Sequence, residues 1–429
     1  MMPELPEAKL PHSARRRQLL LAAGLAPWVS LRAATRRVVI VGGGWGGLTA
    51  AARLREQLPM LEVVLIDRQP AFVSLIGSNP WLVNAQGSQT PRRLDYAAIA
   101  ARRGYRFVQA EVTGIDRQAH LIHAGQGREA YDWLVLAPGI RENFSAWGLS
   151  DAEAQARFRQ LCGSAMGQGS ELAGLKARLA SFKGGDLLMN IPPPPYRCPP
   201  APYERALYIA HWLREQKLPG KLTLIDPNPL MPAFRRAFLE TYRDQVRYID
   251  HANITELDLE KRSVQTEVED FGFDLALLSP PQQAADLLWQ ADLIRRSPQD
   301  QQPDGWGAQE GVSLRSTLDP SVFIIGDAAG LVSPLFGAYP KTGHVASRMG
   351  AMVADEIART LGQGPAQQRL PESICHVTTE LAPHETMELI TEYRRRGDGA
   401  LMQSVRQRRE SNPAGEAQAW AAERYAEFL

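Results

Sequence analysis

Residues 37–58 read RVVIVGGGWGGLTAAARLREQL, and this stretch decides the fold. The run RVVIV is short and β-branched, as in a fully buried parallel strand. It leads into Gly42, Gly44 and Gly47, which fill the three positions of G-x-G-x-x-G, and then into a helical pattern. The first glycine permits a tight turn, the second lets the backbone approach a pyrophosphate, and the third lets the helix pack on the strand. The stretch therefore predicts a Rossmann-like βα unit that binds a dinucleotide at the start of its helix.

A second buried strand, LEVVLID at residues 61–67, supports this prediction. It ends in Asp67, an acid 20 residues beyond Gly47, which is placed to accept hydrogen bonds from ribose hydroxyls. We also include Arg68, the next residue, among the predicted cofactor contacts.

Two further strands resemble fingerprints of flavoproteins that have two dinucleotide-binding domains. In SVFIIGDAAG, residues 321–330, a strand ends in Gly326-Asp327, and the Asp of that class receives a hydrogen bond from the ribityl chain of FAD. In YDWLVLAPG, residues 131–139, a strand ends in a turn of small residues, namely Ala137, Pro138 and Gly139. The resemblance implies FAD as the cofactor and an α/β fold with two Rossmann-like dinucleotide-binding domains.

The second nucleotide site lacks its glycine loop. Strand patterns recur at residues 185–191, 221–229 and 273–281, and in the same superfamily this repeat binds NAD(P)H. Here the loop after its first strand is PPPPYRCPP, residues 192–200. Prolines have no N–H to donate and cannot adopt the positive φ angles that a phosphate cradle uses. We therefore predict a second Rossmann-like domain without a nicotinamide site.

The string PPPPYRCPPAPYERA, residues 192–206, is unusually specific. Together with YPKTGHVA, residues 339–346, it resembles the flavoprotein subunit of flavocytochrome c sulfide dehydrogenase, a relative of the sulfide:quinone oxidoreductases. The resemblance implies that a small reduced sulfur compound is oxidised and that electrons pass through FAD to a c-type cytochrome subunit. The domains that we predict are an export signal at 1–34, an FAD-binding domain at 35–150 and 301–361, the second Rossmann-like domain at 151–300, and a C-terminal flavocytochrome-type domain at 362–429.

The family's chemistry uses two cysteines beside the flavin that make and break a disulfide. Cys198 matches the first, but the second is expected within two residues of the Gly-Asp fingerprint, where this chain has Ala328 and Ala329. A cysteine that tethers the flavin in the flavocytochrome group is replaced by Leu75, so FAD is expected to be noncovalent. Cys198 is then either a nucleophile, its thiolate favoured by the charge of Arg197, or a retained structural residue.

The other two cysteines have simpler interpretations. Cys162 follows a helical stretch and is expected to be a core thiol. Cys375 is expected to be a structural thiol rather than a replacement for the missing partner.

Three further side chains are candidates for the site, each with a plainer alternative. Lys341 precedes a helix and could stabilise the reduced flavin, or it could be a solvated lysine. Glu204 could accept a proton from an incoming thiol, or it could cap or salt-bridge its helix. His344 could relay protons near neutral pH, or it could simply pack. No Cys or His pair has metal-ligand spacing, so no metal is predicted.

The two ends of the chain suggest where it works. Arg16-Arg17-Gln18-Leu19-Leu20 resembles the twin-arginine export pattern, which implies a periplasmic protein; an ordinary secretion signal or a basic tail are the alternatives. The apolar run at 19–31 is too short to cross a bilayer, and no other run approaches 18 residues. At the other end, a linker at 362–371 precedes two predicted helices, at 394–411 and 416–429. Their arginines could dock a partner, bind anionic lipid heads or be a solvated face, and we favour partner docking.

The charge balance excludes one class of function. With 48 Lys+Arg against 47 Asp+Glu the formal charge is +1, which argues against a nucleic-acid partner. Our leading hypothesis is an exported, sulfide dehydrogenase-like FAD oxidoreductase. The alternatives are a membrane-associated sulfide:quinone oxidoreductase-like enzyme and a noncatalytic relative that serves as an assembly or electron-relay module.

Overall fold

The computed structural model describes residues 36–163, 170–410 and 413–429, so the predicted export signal at 1–34 lies outside the described residues. The described α-helices, numbered in chain order, are α1 (Trp45–Gln57), α2 (Ser78–Leu82), α3 (Tyr96–Arg103), α4 (Ala152–Leu161), α5 (Ser170–Ser181), α6 (Ala201–Glu215), α7 (Asp286–Gln290), α8 (Gly343–Thr360) and α9 (Pro413–Ala426). None of the described helices combines the length and the apolar character that a membrane span requires.

The first sheet is parallel and carries the glycine-rich loop. Its strands are, in spatial order, Val322–Ile324, Trp133–Leu136, Arg37–Val41, Glu62–Asp67 and Arg106–Gln109. The central strand is buried, as its run of β-branched residues predicts. Helices α1 and α8 pack closely because small residues face each other: a Cβ on Gly350 would lie 2.3 Å from the carbonyl oxygen of Gly46.

The second sheet is also parallel and is inserted in the chain before the last strand of the first sheet. Its strands are, in spatial order, Val246–Ile249, Gly220–Ile225, Gly185–Asn190 and Leu275–Leu277. The core of this sheet includes α6 and a row of stacked rings formed by Tyr203, Phe234, Phe238 and Tyr248. The described residues therefore have an α/β fold with Rossmann-like parallel sheets.

The third sheet corrects one prediction. A helix was expected at 394–411, but its described residues, 394–410, include the end of one antiparallel strand and the whole of another. The sheet consists of Glu372–Leu381, His384–Arg395 and Leu401–Glu410. Charges that were interpreted as a helical face alternate along the last strand, where Arg406 and Arg408 pair with Glu392 and Glu388 of its neighbour. Such cross-strand ion pairs stabilise a sheet whose sequence is otherwise polar.

The C-terminal helix α9 leads the chain back to the first sheet. The ring of Tyr425 stacks on Trp45 of α1, and its hydroxyl bonds to Ser74 Oγ at 2.8 Å. Phe428, which is fully buried, contacts the same aromatic group. The helix predicted at 416–429 is thus present, and its apolar side covers the start of α1.

Shorter elements connect these layers. The remaining strands are Ala71–Val73, Arg93–Asp95, Val112–Asp116, Leu121–Ala124, Gly127–Ala130, Ile140–Glu142, Ile254–Asp258, Ser263–Thr266, Asp270–Gly272, Gln282–Ala284, Ile294–Arg296, Pro303–Gly307, Leu331–Ser333 and Gly337–Ala338. Short 3-10 turns occupy Phe144–Trp147, Pro232–Phe234 and Gly326–Ala328, and a π-helical turn occupies Ala237–Thr241.

Candidate functional site

A cavity of about 1710 Å³ opens at the carboxyl ends of the first sheet and extends to Cys198 and the third sheet. Ligands of open α/β sheets bind at this edge. All the predicted site residues except Gly47 line the cavity: Gly42, Gly44, Asp67, Arg68, Ala137, Pro138, Gly139, Cys198, Glu204, Gly326, Asp327 and Lys341. The structure therefore brings together residues that the sequence places far apart.

The glycine loop has the geometry of a dinucleotide cradle. Gly42 has a φ of +102°, and a Cβ there would lie 2.2 Å from the carbonyl oxygen of Ala137. A Cβ on Gly47 would lie 1.9 Å from the carbonyl oxygen of Gly42, so this glycine lets α1 pack on the strand. A Cβ on Gly44 would meet no atom within 4 Å, which leaves open space in front of the helix N-terminus. Asp67 Oδ2 accepts a hydrogen bond from Gly43 N–H at 2.7 Å and so fixes the loop. This arrangement fits the pyrophosphate of a dinucleotide such as FAD.

Lys341 is buried on the cavity wall. It is 4% exposed, and its Nζ donates to the carbonyl oxygens of Asp327 and Ala329, both at 2.8 Å. The same Nζ lies 3.6 Å from the centre of the Trp306 ring. Burial lowers the pKa of Lys341 to about 7. The alternative of a solvated lysine is therefore wrong, whereas a role toward the flavin stays a prediction.

Cys198 sits in a strained turn just before α6. Its φ is +52°, which is unusual for a residue with a side chain, and its N–H donates to the carbonyl oxygen of Lys341 at 2.7 Å. Burial raises the pKa of its thiol above the ordinary value, the thiol of Cys375 and the carboxylate of Glu204 raise it further, and a hydrogen bond from Ala201 N–H lowers it. The thiol is thus protonated at neutral pH unless a further positive charge stabilises its thiolate.

Arg197 is paired with an acid. Its Nε forms an ion pair with Asp327 Oδ2 at 2.7 Å, so that carboxylate takes up much of its charge. A role of Arg197 toward the Cys198 thiolate stays a prediction. The contact also ties the proline-rich loop to the Gly-Asp turn.

Cys375 lines the same cavity as Cys198 and its Sγ lies 3.7 Å from Ser373 Oγ, so its interpretation as a structural thiol stays a prediction. It is close enough for its charge to affect the pKa of Cys198, and both thiols are free. Its strand, Glu372–Leu381, packs on α6, where Tyr208 Oη contacts Thr378 Oγ1 at 3.3 Å. No local sequence pattern predicts that Cys375 lies near Cys198, because this depends on how the third sheet docks against α6.

Glu204 joins three segments at the thiol end of the cavity. Its Oε2 accepts from Asn79 Nδ2 at 2.6 Å, and its Oε1 accepts from Thr378 N–H at 2.8 Å. Burial raises the pKa of Glu204, although these hydrogen bonds oppose the shift. Arg205, the next residue, is buried and donates from Nε to Asn79 Oδ1 at 3.0 Å. Sequence reasoning missed Asn79 and Arg205, although Arg205 belongs to the specific string at 192–206.

Two other candidates prove to be packing residues. His344 accepts a hydrogen bond at Nδ1 from Ile374 N–H at 2.9 Å, and burial lowers its pKa to about 3. It therefore stays neutral and cannot relay protons near neutral pH. Cys162 is fully buried, and burial raises its pKa to about 12, so its interpretation as a core thiol is confirmed.

The second sheet has an acid where the first has Asp67, but that acid is already occupied. Asp226 follows the strand Gly220–Ile225 and is fully buried. Its Oδ2 accepts from Tyr203 Oη at 2.5 Å and Tyr248 Oη at 2.6 Å, and its Oδ1 accepts from Asn228 N–H at 2.8 Å. Ribose hydroxyls would have to displace these donors.

The glycine cradle, the acid at the end of the second strand and the two thiols on the cavity are features expected of a flavin-dependent oxidoreductase. Family models agree: residues 36–171 match the pyridine nucleotide-disulphide oxidoreductases, and residues 173–278 match the central part of the sulfide dehydrogenase [flavocytochrome c] flavoprotein chain. These two stretches of the chain are similar to flavoproteins of the sulfide dehydrogenase type, and the cofactor is FAD.

Individual relatives support the same grouping. Mitochondrial sulfide:quinone oxidoreductase of Mus musculus is 24% identical over 312 residues, 68% of this chain and 66% of that protein. The match thus spans just under two thirds of the mouse protein. A type II NADH:quinone oxidoreductase of Staphylococcus aureus is 30% identical over 126 residues, 27% of this chain and 29% of that protein. In three dimensions the sulfide:quinone oxidoreductase of Aquifex aeolicus superposes with a TM-score of 0.69 and 17% identity, covering 91% of this chain and 90% of that one.

Proposed function

We propose that the protein oxidises a small reduced sulfur compound, with hydrosulfide as the simplest case, through a disulfide between Cys198 and Cys375. The observation that carries this proposal is the presence of both thiols on the wall of the cavity that fits FAD. Cys198 also contacts an element on the flavin side, since its N–H donates to the carbonyl oxygen of Lys341.

The first step balances with this pair alone. Hydrosulfide forms a bond to one cysteine sulfur of the oxidised pair, the S–S bond breaks, and the other cysteine leaves as a thiolate with the electron pair. The attacked cysteine then carries a persulfide. Bound FAD supplies a two-electron acceptor for that thiolate. Residue 75 is leucine, which has no thiol to attach to the flavin, so we propose that FAD is noncovalent.

Anaerobic stopped-flow absorption of the holoprotein tests this function. We expect sulfide to bleach the flavin band, and Cys198→Ser and Cys375→Ser each to slow the bleaching by about a hundredfold or more, as for residues that act as a unit. Cys162→Ala is the matched control and should bleach like the wild type. No bleaching of the wild type by any sulfur donor would favour a noncatalytic relative.

We propose that a c-type cytochrome is the electron acceptor. It would dock at the third sheet, which would then serve as the flavocytochrome-type domain of this chain. Support comes from the family model at residues 173–278, whose description names a flavocytochrome c. A quinone is the second candidate, because the mouse relative is a quinone reductase. Several arginines of the third sheet are paired with glutamates, including Arg406 and Arg408, and this pairing weakens attraction to anionic lipid. Sulfide-dependent reduction of a c-type cytochrome, compared with that of a quinone in liposomes, distinguishes the two.

We also propose that the protein is exported to the periplasm by the twin-arginine route. The pattern Arg16-Arg17-Gln18-Leu19-Leu20 is the support, together with the need to acquire FAD before export. Replacing Arg16 and Arg17 by lysine should retain the protein in the cytoplasm, as measured by cell fractionation. Periplasmic flavoprotein from the double variant would contradict the route.

A further inference from the structure

A buried arginine with an unused donor lies at the thiol end of the cavity. Arg205 is 2% exposed and lines the cavity from the first turns of α6. Its Nε donates to Asn79, but its Nη1 is buried and has no hydrogen-bond partner. Buried polar groups are nearly always paired, so an unpartnered guanidinium N–H at a cavity wall points to a ligand that the cavity admits.

Arg205 forms no salt bridge within the part of the chain that the structure describes, although, against the lowering by burial, the nearby charge of Glu204 raises its pKa. The neighbouring Glu204 directs both oxygens elsewhere, to Asn79 Nδ2 and Thr378 N–H. The two other cations at this end are engaged, Arg197 with Asp327 and Lys341 with two carbonyl oxygens. Of these three cations, Arg205 is therefore the one with an unpaired N–H donor.

Arg205 also lies close to the reactive sulfur. Burial lowers the pKa of Arg205 to about 10, while the charges of Glu204 and, to a smaller extent, Cys198 raise it, so the guanidinium remains charged at neutral pH. A guanidinium group presents several N–H donors in one plane and is less strongly hydrated than an ammonium group, so it suits a small anion in an enclosed site.

We propose that Arg205 forms an anion subsite beside Cys198 that holds the singly charged sulfur nucleophile consumed by the enzyme. This inference rests on the proposed function and specifies the form of the substrate: hydrosulfide or a comparable small monoanion, rather than a neutral thiol. The anionic sulfur held at Arg205 attacks Cys198 Sγ. The bond from Cys198 to Cys375 then breaks, and the electron pair leaves on Cys375 as its thiolate.

Alkylation with a charged and a neutral reagent tests the subsite without turnover. Holoprotein with its thiols reduced by a phosphine, which is then removed, is treated at pH 8.5 with iodoacetate or iodoacetamide, and the Cys198 peptide is quantified by mass spectrometry. In the Arg205→Gln variant the rate ratio of iodoacetate to iodoacetamide should fall about tenfold, because one charge-assisted hydrogen bond is lost. Arg205→Lys should keep most of the ratio. The ratio is measured within each sample, so partial loss of folded protein does not affect it.

Arg141 provides the matched control. It lines the same cavity and its Nε is also unpartnered, but its Nη1 is paired with Asp286 at 2.5 Å and its Nη2 donates to Gln283, so Arg141→Gln should leave the ratio at Cys198 unchanged. An unchanged ratio in Arg205→Gln, or no reaction of Cys198 with either reagent, would overturn the subsite. Absence of flavin bleaching by sulfide, with the ratio shifted as expected, would instead overturn the proposed function and leave an anion site.

A second readout connects the subsite to turnover. In Arg205→Gln the sulfide concentration for half-maximal bleaching should rise about tenfold, while the limiting rate changes less, because the residue holds the substrate. A fall in the limiting rate alone would contradict a binding role.

Discussion

His344 shows how burial sets the charge of a single residue. The residue is 3% exposed, and burial lowers its pKa to about 3, whereas a histidine in an unfolded chain titrates near 6.5. Between these values the unfolded chain binds one more proton than the folded chain. The folded state therefore loses stability as the pH falls from 6.5 toward 3.

The variant His344→Asn should remove this loss, because asparagine keeps an acceptor for Ile374 N–H and does not titrate. Between pH 7 and pH 5 the variant should gain about 2 kcal/mol in free energy of unfolding relative to the wild type, since each pKa unit is worth about 1.4 kcal/mol. Urea denaturation over a pH series measures this difference. His251→Asn, at an exposed position, is the control. Parallel pH profiles of wild type and His344→Asn would contradict the prediction.

At the scale of elements, the turn between the first strand and α1 contains one glycine that matters mainly for folding and another that matters mainly for cofactor binding. A methyl group at Gly47 would collide with backbone, so Gly47→Ala should destabilise the apoprotein by about 3 kcal/mol. Gly44 has an extended backbone and open space around its Cα, so Gly44→Ala should change that stability by less than about 0.5 kcal/mol.

Gly44→Ala should weaken the retention of FAD, although it leaves the stability of the apoprotein nearly unchanged. Its methyl group projects into the space in front of α1, so FAD affinity should fall about tenfold or more, as when a close backbone approach to pyrophosphate is blocked. Flavin content after dialysis, read from the visible absorption, measures the loss. Wild-type affinity in Gly44→Ala would place the pyrophosphate elsewhere.

Local patterns predicted some elements and failed on others. The first strand and its loop are predictable because β-branched residues and spaced glycines act within a few residues of one another. The strand at the end of the third sheet is not predictable in this way, because its arginines suit a helical face and a strand equally well. Only the neighbouring strand, which brings Glu388 and Glu392 to these arginines, decides between the two. That Cys375 and Cys198 line one cavity was not predictable for a similar reason, since it depends on the docking of the Cys375 strand on α6.

At the scale of the whole molecule, the two parallel sheets differ in their capacity to bind a dinucleotide. The first presents a glycine cradle, whereas the second presents a proline-rich loop and an acid, Asp226, with its oxygens occupied by Tyr203, Tyr248 and Asn228. We therefore expect NADH and NADPH to reduce the flavin at least about a hundredfold more slowly than sulfide, because losing buried hydrogen bonds is costly.

Anaerobic absorption after mixing with each donor measures this selectivity, with dithionite as the positive control for a reducible flavin. Rapid bleaching by NADH would contradict the prediction and would favour a likeness in activity to the type II NADH:quinone oxidoreductase relative.

The interrupted first sheet has a consequence for how the chain is made. Its edge strand Val322–Ile324 and the helix α8 that packs on α1 are synthesised only after all four strands of the second sheet. On the ribosome the strands of the second sheet can therefore pair first. The first sheet is completed only when its edge strand and α8 have been synthesised. Pairing over such long sequence separations is slow. The cradle should therefore be the last part of the parallel framework to mature, and FAD should bind only after most of the chain has emerged.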